Sequence, residues 1–394
     1  MALIADSACD LENYLRYPDH QLDGRIAELR RALGGRVLVL AHHYQRQEVV
    51  RFADYTGDSL RLSQRGVEHP EAEFIVFCGV HFMAESADIL RAEHQQVILP
   101  DLNAGCSMAD MAEFPQVLDA WEQLEELGIA EQFLPLTYMN STARIKAFVG
   151  EQGGMVCTSS NAPAAFRWAL ERRPRIFFMP DQHLGRNTGV KLGLELDEML
   201  LWNPRERWGG NTPEALAQAK VLLWKGHCSV HQRFLPEHAD RWRAEAPDIR
   251  ILVHPECSHE VVAKADLVGS TDFIRRQIAE APAGTRWAIG TELHLVHRLA
   301  QEYPEQLISP LDNDGCPVCS TMFRISPQHL AWVLDNLVQG RVVNRIVVKD
   351  AVKHWAKVAL ARMLEISAAA APPVPAPELA AAMATAVATA VAAS

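Results

Sequence analysis

Three cysteines lie in loops of similar character along this chain. Cys106 follows Ala-Gly, Cys228 follows Gly-His, and Cys319 ends the sequence Gly315-Cys316-Pro-Val-Cys319. Each loop comes soon after a short apolar run typical of a β-strand. Three thiolates from separate segments can hold one metal centre, and a centre that needs four ligands would keep one position open to substrate. The pattern therefore predicts a metal centre where three similar segments meet.

The cysteines alone leave the kind of metal open. The pair Cys316 and Cys319 fits a zinc half-site, a redox dithiol or an iron-sulfur ligand. A zinc ribbon needs a second C-x-x-C pair, and the sequence has none. A thioredoxin-type dithiol follows the first strand of its domain, whereas this pair follows the last predicted strand. Single cysteines from distant loops favour an iron-sulfur cluster held between domains, with zinc as the alternative.

Composition excludes several classes of protein. The 394-residue chain has a formal net charge of -11 and no run of Lys and Arg, so we expect no nucleic-acid partner. It has no apolar stretch typical of a transmembrane helix and no secretory signal, which predicts a cytoplasmic protein with reduced thiols and no membrane partner. Small anionic substrates remain compatible with this charge, because a binding site can be locally cationic.

Strand-like and helix-like segments alternate in three series, and each series ends on one of the cysteine loops. This alternation predicts an α/β fold built from similar three-layer domains with parallel sheets. The predicted units are a leader (1–20), a first α/β domain (21–114), a second (115–235) with an insertion or lid at 188–216, a third (236–325), closing helices (326–366) and an Ala- and Pro-rich tail (367–394), which we expect to be disordered.

Polar side chains gather at the predicted carboxyl ends of the strands, where parallel α/β sheets bind their ligands. His254 and Glu256 offer an imidazole and a carboxylate on one turn, suited to moving a proton at carbon. A plain helix cap is the alternative for that turn. His42 and Tyr44 are two residues apart and share one face if the strand persists, and a surface histidine is the alternative there.

Two segments rich in Ser and Thr, residues 158–160 and 269–271, are typical of helix N-termini. Their backbone N-H groups and hydroxyls can hold a carboxylate or phosphate, or can simply cap a helix. A third polar segment contains Asp181, His183 and Arg186, which predicts either a second acid-base set or an ionic link between domains.

Taken together, these segments closely resemble the quinolinate synthases, a family of iron-sulfur enzymes of NAD biosynthesis. The resemblance runs in the family's order from about residue 36 to about residue 325. The matching sequences are Ala41-His-His-Tyr-Gln-Arg46, Gly57-Asp-Ser-Leu60, Gly79-Val-His-Phe-Met-Ala-Glu85, Pro100-Asp-Leu-Asn-Ala-Gly-Cys-Ser-Met108, Tyr138-Met-Asn-Ser141, Thr158-Ser-Ser160, Pro180-Asp-Gln-His-Leu-Gly-Arg186, Gly226-His-Cys228, Val253-His-Pro-Glu256, Val268-Gly-Ser-Thr271 and Cys316-Pro-Val-Cys-Ser-Thr-Met322.

The resemblance implies three α/β/α domains arranged with pseudo-threefold symmetry around a central 4Fe-4S cluster, with one cysteine ligand from each domain. The implied ligands are Cys106, Cys228 and Cys319. Cys319 satisfies the family's C-x-x-M spacing with Met322, whereas Cys316 does not. Ligation by Cys316 is the alternative.

The implied activity is a transferase reaction that condenses iminosuccinate with dihydroxyacetone phosphate to quinolinate, releasing phosphate and two waters. Iminosuccinate would be supplied by L-aspartate oxidase or aspartate dehydrogenase. The side chains implied in substrate binding are His42, Ser59, Tyr138, Asn140, Ser159, His254, Glu256 and Thr271. We assign proton transfer to Glu256 and Tyr44, with Tyr138 sharing that role and His254 orienting the substrate.

Two other classes of protein compete with this interpretation. An aconitase-like hydro-lyase or a diphthamide-forming enzyme also holds a cluster with three cysteines. The diphthamide enzymes act on a protein, whereas polar strand ends of the kind seen here favour a small dicarboxylate. A non-catalytic iron-sulfur or zinc regulator would carry a module for nucleic acid or a partner, and this acidic sequence shows none.

Overall fold

The computed structural model describes residues 10–370 and contains three mainly parallel β-sheets with helices between their strands. The strands are β1 (Val37–His42), β2 (Tyr55–Gly57), β3 (Phe74–Cys78), β4 (Gln96–Ile98), β5 (Phe133–Tyr138), β6 (Met155–Cys157), β7 (Arg175–Met179), β8 (Met199–Trp202), β9 (Val221–Trp224), β10 (Arg250–Val253), β11 (Leu267–Val268), β12 (Arg286–Gly290), β13 (Leu307–Pro310) and β14 (Arg345–Ile346).

The helices connect these strands and close the two ends of the fold. The α-helices are α1 (Leu11–Tyr14), α2 (Asp23–Leu33), α3 (Gln47–Val50), α4 (Ser59–Glu68), α5 (His81–Leu90), α6 (Ser107–Asp110), α7 (Phe114–Glu126), α8 (Ala143–Glu151), α9 (Ala162–Leu170), α10 (Gln182–Lys191), α11 (Pro213–Leu216), α12 (Pro236–Glu245), α13 (His259–Val262), α14 (Thr271–Glu280), α15 (Leu293–Glu302), α16 (Ser320–Phe323), α17 (Pro327–Val338) and α18 (Asp350–Ala370). Short 3-10 helices lie at Asp19–Gln21, Gly34–Arg36, Ala130–Gln132, Leu196–Glu198, Arg207–Gly210 and His231–Arg233.

All three sheets share one strand order. The first contains β2-β1-β3-β4, the second β6-β5-β7-β9 and the third β11-β10-β12-β13. Every pairing within these sets is parallel. In each set the second strand lies outside the first, and the chain then crosses back to add the third and fourth. The predicted α/β class, with three domains of like topology, is confirmed.

The inner strands form the core because helices cover both faces of each sheet. β1, β3 and β5 are buried along their whole length, and their sequences are nearly continuous apolar runs. A sheet with one face in water would instead alternate apolar and polar residues. The carboxyl ends of these strands are therefore the places where polar side chains can be presented to a ligand.

After the third sheet the chain returns to the first two domains. Helix α17 packs on α2, and β14 pairs antiparallel with β4 at the edge of the first sheet. Helix α18 packs on α8 and α9 in the second domain and on α5 in the first. The segment predicted to form closing helices thus ties the first two domains together.

The insertion, leader and tail occupy the remaining parts of the chain. Residues 188–216 contain β8, which extends the second sheet beyond β9, together with two 3-10 helices and α11. In the leader, α1 packs on α17, and the buried Tyr14 donates a hydrogen bond to Asp335. The rest of the predicted leader and tail, residues 1–9 and 371–394, lies outside the described residues. The first residues of the predicted tail, 367–370, continue α18.

Among residues 10–370, no helix combines the length and the apolar character needed to cross a bilayer.

The contact between α8 and α18 gives a stability prediction. A Cβ atom added at Gly150 in α8 would collide with the backbone carbonyl of Trp355 in α18. We expect Gly150→Ala to lower the free energy of unfolding by about 1–3 kcal/mol, because packed backbones cannot move apart without losing other contacts. Urea unfolding measures the change. Gly24→Ala is the control, since open space surrounds Gly24. Equal stability of the two variants would contradict the close packing.

Candidate active site

The first strand of each sheet ends on two polar residues spaced two apart. β1 and β5 end at His42 and Tyr138, and His254 directly follows β10. The pairs are His42 and Tyr44, Tyr138 and Asn140, and His254 and Glu256. Because the three sheets have the same topology, these pairs occupy equivalent places in the three domains.

The second strand of each sheet leads to a hydroxyl residue near a helix N-terminus. Ser59 is the first residue of α4, Thr271 is the first residue of α14, and Ser159 precedes α9. The side chain of Asp58 caps α4 by accepting from the backbone N-H of Arg61. Ser59 and Thr271 therefore lie at helix N-termini and Ser159 lies close to one, a setting that favours anionic ligands.

The cysteine loop follows the last strand of each shared four-strand set, namely β4, β9 and β13. Cys106 and Cys319 are the residues just before the short helices α6 and α16, and Cys228 lies after β9. Each sulfur faces backbone N-H groups two or three residues further along the chain. N-H groups directed at sulfur stabilise the thiolate form that binds metal. The three loops are thus alike in local geometry as well as in position.

All twelve residues predicted for the site line one cavity of about 60 Å³, several times the space that one water molecule requires. They are His42, Tyr44, Ser59, Cys106, Tyr138, Asn140, Ser159, Cys228, His254, Glu256, Thr271 and Cys319. Cys316 is exposed and does not line the cavity. Cys257 is buried with its sulfur 3.6 Å from the carbonyl oxygen of Gly290.

The cavity carries little formal charge. Burial lowers the pKa of His42 and of His254 to about 3, so both imidazoles are neutral at neutral pH. Burial and the nearby Glu256 raise the pKa of Tyr44 and of Tyr138 well above its usual value, which keeps both phenols protonated. Among the described residues, neither Lys nor Arg lines the cavity.

Glu256 is the carboxylate at the centre of this cavity. Burial acts to raise its pKa, but the imidazoles of His254 and His231 and the hydroxyl of Tyr138 outweigh burial and lower it. Oε2 of Glu256 lies 2.7 Å from Nδ1 of His231, out of line for a good hydrogen bond, and 3.5 Å from Nδ1 of His254. An ionised carboxylate beside protonated phenols is suited to accept a proton while the phenols donate.

Two residues of this network, His231 and Thr291, were not assigned to the site from the sequence. The hydroxyl of Tyr44 lies 2.8 Å from Oγ1 of Thr291, and Nε2 of His231 lies 3.1 Å from the same oxygen. A continuous chain of polar contacts therefore runs from Tyr44 through Thr291 and His231 to Glu256. The available signals were the position of His231 three residues after Cys228 and that of Thr291 at the end of β12.

Burial also sets the protonation of the thiols. It raises the pKa of Cys106 to about 12 and raises those of Cys228 and Cys319 above the usual value. Such thiols lose their protons when a positive metal offsets the burial, so metal binding would release protons here. The donor set is therefore suited to a metal centre.

Spacing limits which donors can share one ion. One compact group of donor atoms, all within 4.8 Å of one another, is formed by Cys228, His231 and Glu256. Among the described residues, no such compact group is formed by the sulfur atoms of Cys106, Cys228 and Cys319. Thiolates around one zinc ion stand about 4 Å apart, because each Zn-S bond is about 2.3 Å. The three thiols therefore do not form a compact single-ion site in this structure.

Two buried ionisable groups hold the loops around the cavity. Asp181 accepts hydrogen bonds from the backbone N-H groups of His183 and Leu184, and its own backbone bridges to Gly226 beside the Cys228 loop. Its pKa is raised well above the usual value by burial and by Glu256. Asp181 is thus a helix cap, and His183 bonds to Gln232 rather than entering the cavity.

Lys146 is fully buried beneath the loop that carries Asn140. Its Nζ donates to the carbonyl oxygens of Met139, at 2.8 Å, and Ser141. Burial lowers its pKa to about 7, although the nearby Glu85 opposes the shift. The position of the Asn140 loop therefore depends on a buried amine.

Comparison with known proteins identifies the family. The family model described as quinolinate synthetase A protein matches residues 24–365. The chain belongs to the quinolinate synthetase A family. The quinolinate synthase of Acidobacterium capsulatum is 61% identical over 368 residues, covering 93% of this chain and 98% of the relative. That of a Nocardioides species is 56% identical over 88% of this chain and 90% of the relative. That of Corynebacterium glutamicum is 54% identical over 91% of each.

Family membership confirms the resemblance drawn from the motifs. It makes the chain an enzyme and places it in NAD biosynthesis. The cavity described above is the candidate active site of this family member, because the motif residues converge there.

Lys146 gives a prediction that can be tested without an activity assay. Lys146→Met removes the donors to Met139 and Ser141, and we expect the free energy of unfolding to fall by about 1–3 kcal/mol. The pKa of Lys146 is about 7 in the folded protein, against an ordinary 10.5 in the unfolded chain. Between these two pH values the unfolded chain binds more protons than the folded protein does. The contribution of Lys146 to stability therefore rises with pH. Urea unfolding should therefore show a larger gap between wild type and variant at about pH 9 than at about pH 7.

The control is Lys220→Met, since the side chain of Lys220 is exposed. Its effect should not change over this pH range. A gap for Lys146→Met that stays constant with pH would contradict the lowered pKa.

Proposed function

We propose that the chain is a quinolinate synthase that condenses iminosuccinate with dihydroxyacetone phosphate, releasing phosphate and two waters. The observation that carries the proposal is the meeting of twelve motif residues from three domains in one cavity. Family membership supports it, since relatives named quinolinate synthase match over nearly the whole chain. A transferase of this kind would work in the cytoplasm, with iminosuccinate supplied by L-aspartate oxidase or aspartate dehydrogenase.

We assign the metal centre as a 4Fe-4S cluster held by Cys106, Cys228 and Cys319, one from each domain. Their common place in the wall of the cavity and the N-H groups directed at each sulfur support this assignment. When bound, such a cluster would supply a Lewis acid at the wall of the cavity, suited to the loss of water from a substrate. The three domain units proposed from the sequence each contribute one of these thiols.

The other side chains bind the dicarboxylate substrate without formal positive charge. The hydroxyls of Ser59, Ser159 and Thr271 lie at helix N-termini, where backbone N-H groups attract carboxylates. The neutral imidazoles of His42 and His254 offer further hydrogen-bonding groups. The amide of Asn140 and the phenol of Tyr138 complete the set of donors.

Proton transfer is assigned to Glu256, Tyr44 and Tyr138. Glu256 is ionised and accepts a proton from substrate carbon in the isomerisation and dehydration steps, with His254 orienting the substrate beside it. Tyr44 and Tyr138 stay protonated and donate to oxygen atoms that leave as water. His231 and Thr291 lie between Tyr44 and Glu256, and a turn of the His231 ring that aligned Nδ1 with Oε2 of Glu256 would complete a route for returning the proton.

The role of Glu256 is tested by Glu256→Gln, which keeps the shape of the side chain and removes the base. We expect quinolinate formation to fall by about 10²–10⁴-fold with the iron content unchanged. Glu260→Gln is the control, because Glu260 is exposed and does not line the cavity. A Glu256→Gln enzyme with its normal iron and a normal rate would show that another group is the base.

The third ligand is tested by comparing two serine variants. Cys319→Ser removes a cavity-lining thiol, so we expect iron and sulfide per chain to fall sharply after anaerobic purification. Cys316→Ser changes an exposed thiol outside the cavity and should leave both contents near those of the wild type. The reverse result would assign the third ligand to Cys316.

A further inference from the structure

A large cleft of about 1120 Å³ adjoins the reaction cavity. The two spaces share Asp58 and Ser159 in their walls. The cleft is lined by helices from all three domains, including α4, α9, α10 and α14. A ligand entering from solvent on this side would pass through the cleft before it reached the cysteines and Glu256.

Four cations line this cleft without an ion-pair partner among the described residues. They are Arg61 of α4, Arg167 of α9, Lys191 of α10 and Arg276 of α14. None of them takes part in a salt bridge within residues 10–370, and Arg276 only lies over the ring of Phe273, 5.8 Å from its centroid. All four are exposed. We name this lining the cationic vestibule.

The acidic residues of the same cleft are already paired. Asp266 accepts from Arg243 and from the backbone N-H of Ile251. Asp272 lies 2.7 Å from Nε2 of His43. Arg243 and His43 contact two of these carboxylates, and Asp272 also interacts electrostatically with Arg61. The four cations still outnumber the three acids that line the cleft.

The third acid, Asp58, is buried at the junction of the two spaces. It accepts a hydrogen bond from the hydroxyl of Ser160 at 2.7 Å and from the backbone N-H of Arg61 at 2.9 Å. The cleft thus has positive charge to offer on a protein whose net charge is -11.

The reaction cavity offers a phosphate neutral donors and no cationic side chain of Lys or Arg among the described residues. Two histidines, His42 and His254, do line it, and both are neutral at neutral pH. A phosphate monoester carries about -1.5 to -2 charges at pH 7, and Lys and Arg are its usual partners. The cationic side chains that could bind such a ligand lie in the adjoining cationic vestibule.

We propose that the cationic vestibule is a binding site for phosphate monoesters, which captures the phosphorylated substrate before it enters the reaction cavity. The inference rests on the proposed function for the identity of that substrate. Clefts lined by one sign of charge raise the local concentration and the association rate of oppositely charged ligands. The dicarboxylate substrate instead depends on the neutral donors of the reaction cavity.

The test replaces all four cations in the holoenzyme, as Arg61→Gln, Arg167→Gln, Lys191→Gln and Arg276→Gln together. We expect kcat/KM for dihydroxyacetone phosphate to fall by about 10-fold or more at low ionic strength, with a smaller change in kcat. Added salt should lower kcat/KM of the wild type and have little effect on the variant, because salt screens exposed charges. A pair variant, Arg61→Gln with Arg276→Gln, should give an intermediate result.

A matched control changes the same amount of charge elsewhere. Arg31→Gln, Arg205→Gln, Arg233→Gln and Lys349→Gln alter exposed residues that line neither space. This control should keep the wild-type kcat/KM and salt dependence. An equal loss in the control and in the vestibule variant would overturn the proposal, because net charge alone would then explain the effect.

Binding of non-reacting probes separates this inference from the proposed function. Calorimetric titration of the holoenzyme with glycerol 3-phosphate should show binding that the vestibule variant loses, whereas binding of succinate should persist. Glycerol 3-phosphate that binds wild type and variant equally would overturn the proposal, and so would an equal loss of succinate binding. Failure of the wild type to make quinolinate would count against the proposed function and leave the probe results to decide on the vestibule.

Discussion

The candidate active site depends on one constraint, the direction of the strands in three sheets of identical order. In a parallel sheet all strands end at the same edge, so the polar residues after each strand are brought together. With the order repeated three times, each domain delivers one thiol, one helix-terminal hydroxyl and one polar pair. The helices that fill the outside of the fold, above all α17 and α18, hold these edges in place.

The proposed chemistry depends on which side chains of the site are charged and where they lie. The reaction cavity buries its imidazoles in the neutral form and its phenols in the protonated form, and it keeps Glu256 as the ionised base. The positively charged side chains lie outside this cavity, in the cationic vestibule. They are exposed to solvent there, so their charges carry little desolvation cost. A metal centre with an open position would then act on substrate in a cavity with few competing charges.

Much of the fold and of the candidate site was predictable from the sequence. Continuous apolar runs gave the buried strands, and the residue types after those runs gave the polar pairs, the hydroxyls and the cysteines. The assignment of the substrate-binding residues, including Ser59, and of the threefold arrangement came from the resemblance to the quinolinate synthases, and the common strand direction explains why these residues meet. Cys319 rather than Cys316 lines the cavity, in accord with the C-x-x-M spacing.

Contacts between domains could not be predicted in this way. His231 and Thr291 come from different domains, and only their positions in space connect them to Tyr44. Lys146 lies in the helix α8, where a lysine is usually exposed, and it is buried because a loop folds over it. The strand β8 was hidden in a segment whose Pro, Gly and Trp residues resemble those of a loop.

The most direct test of the central claim is to incubate the anaerobically purified protein with iminosuccinate and dihydroxyacetone phosphate and to measure quinolinate. Iron and sulfide are counted on the same sample. We expect about four irons and four sulfides per chain, as a 4Fe-4S cluster requires, together with quinolinate and phosphate formed in equal amounts. A protein with its full complement of iron and sulfide that makes no quinolinate would contradict it.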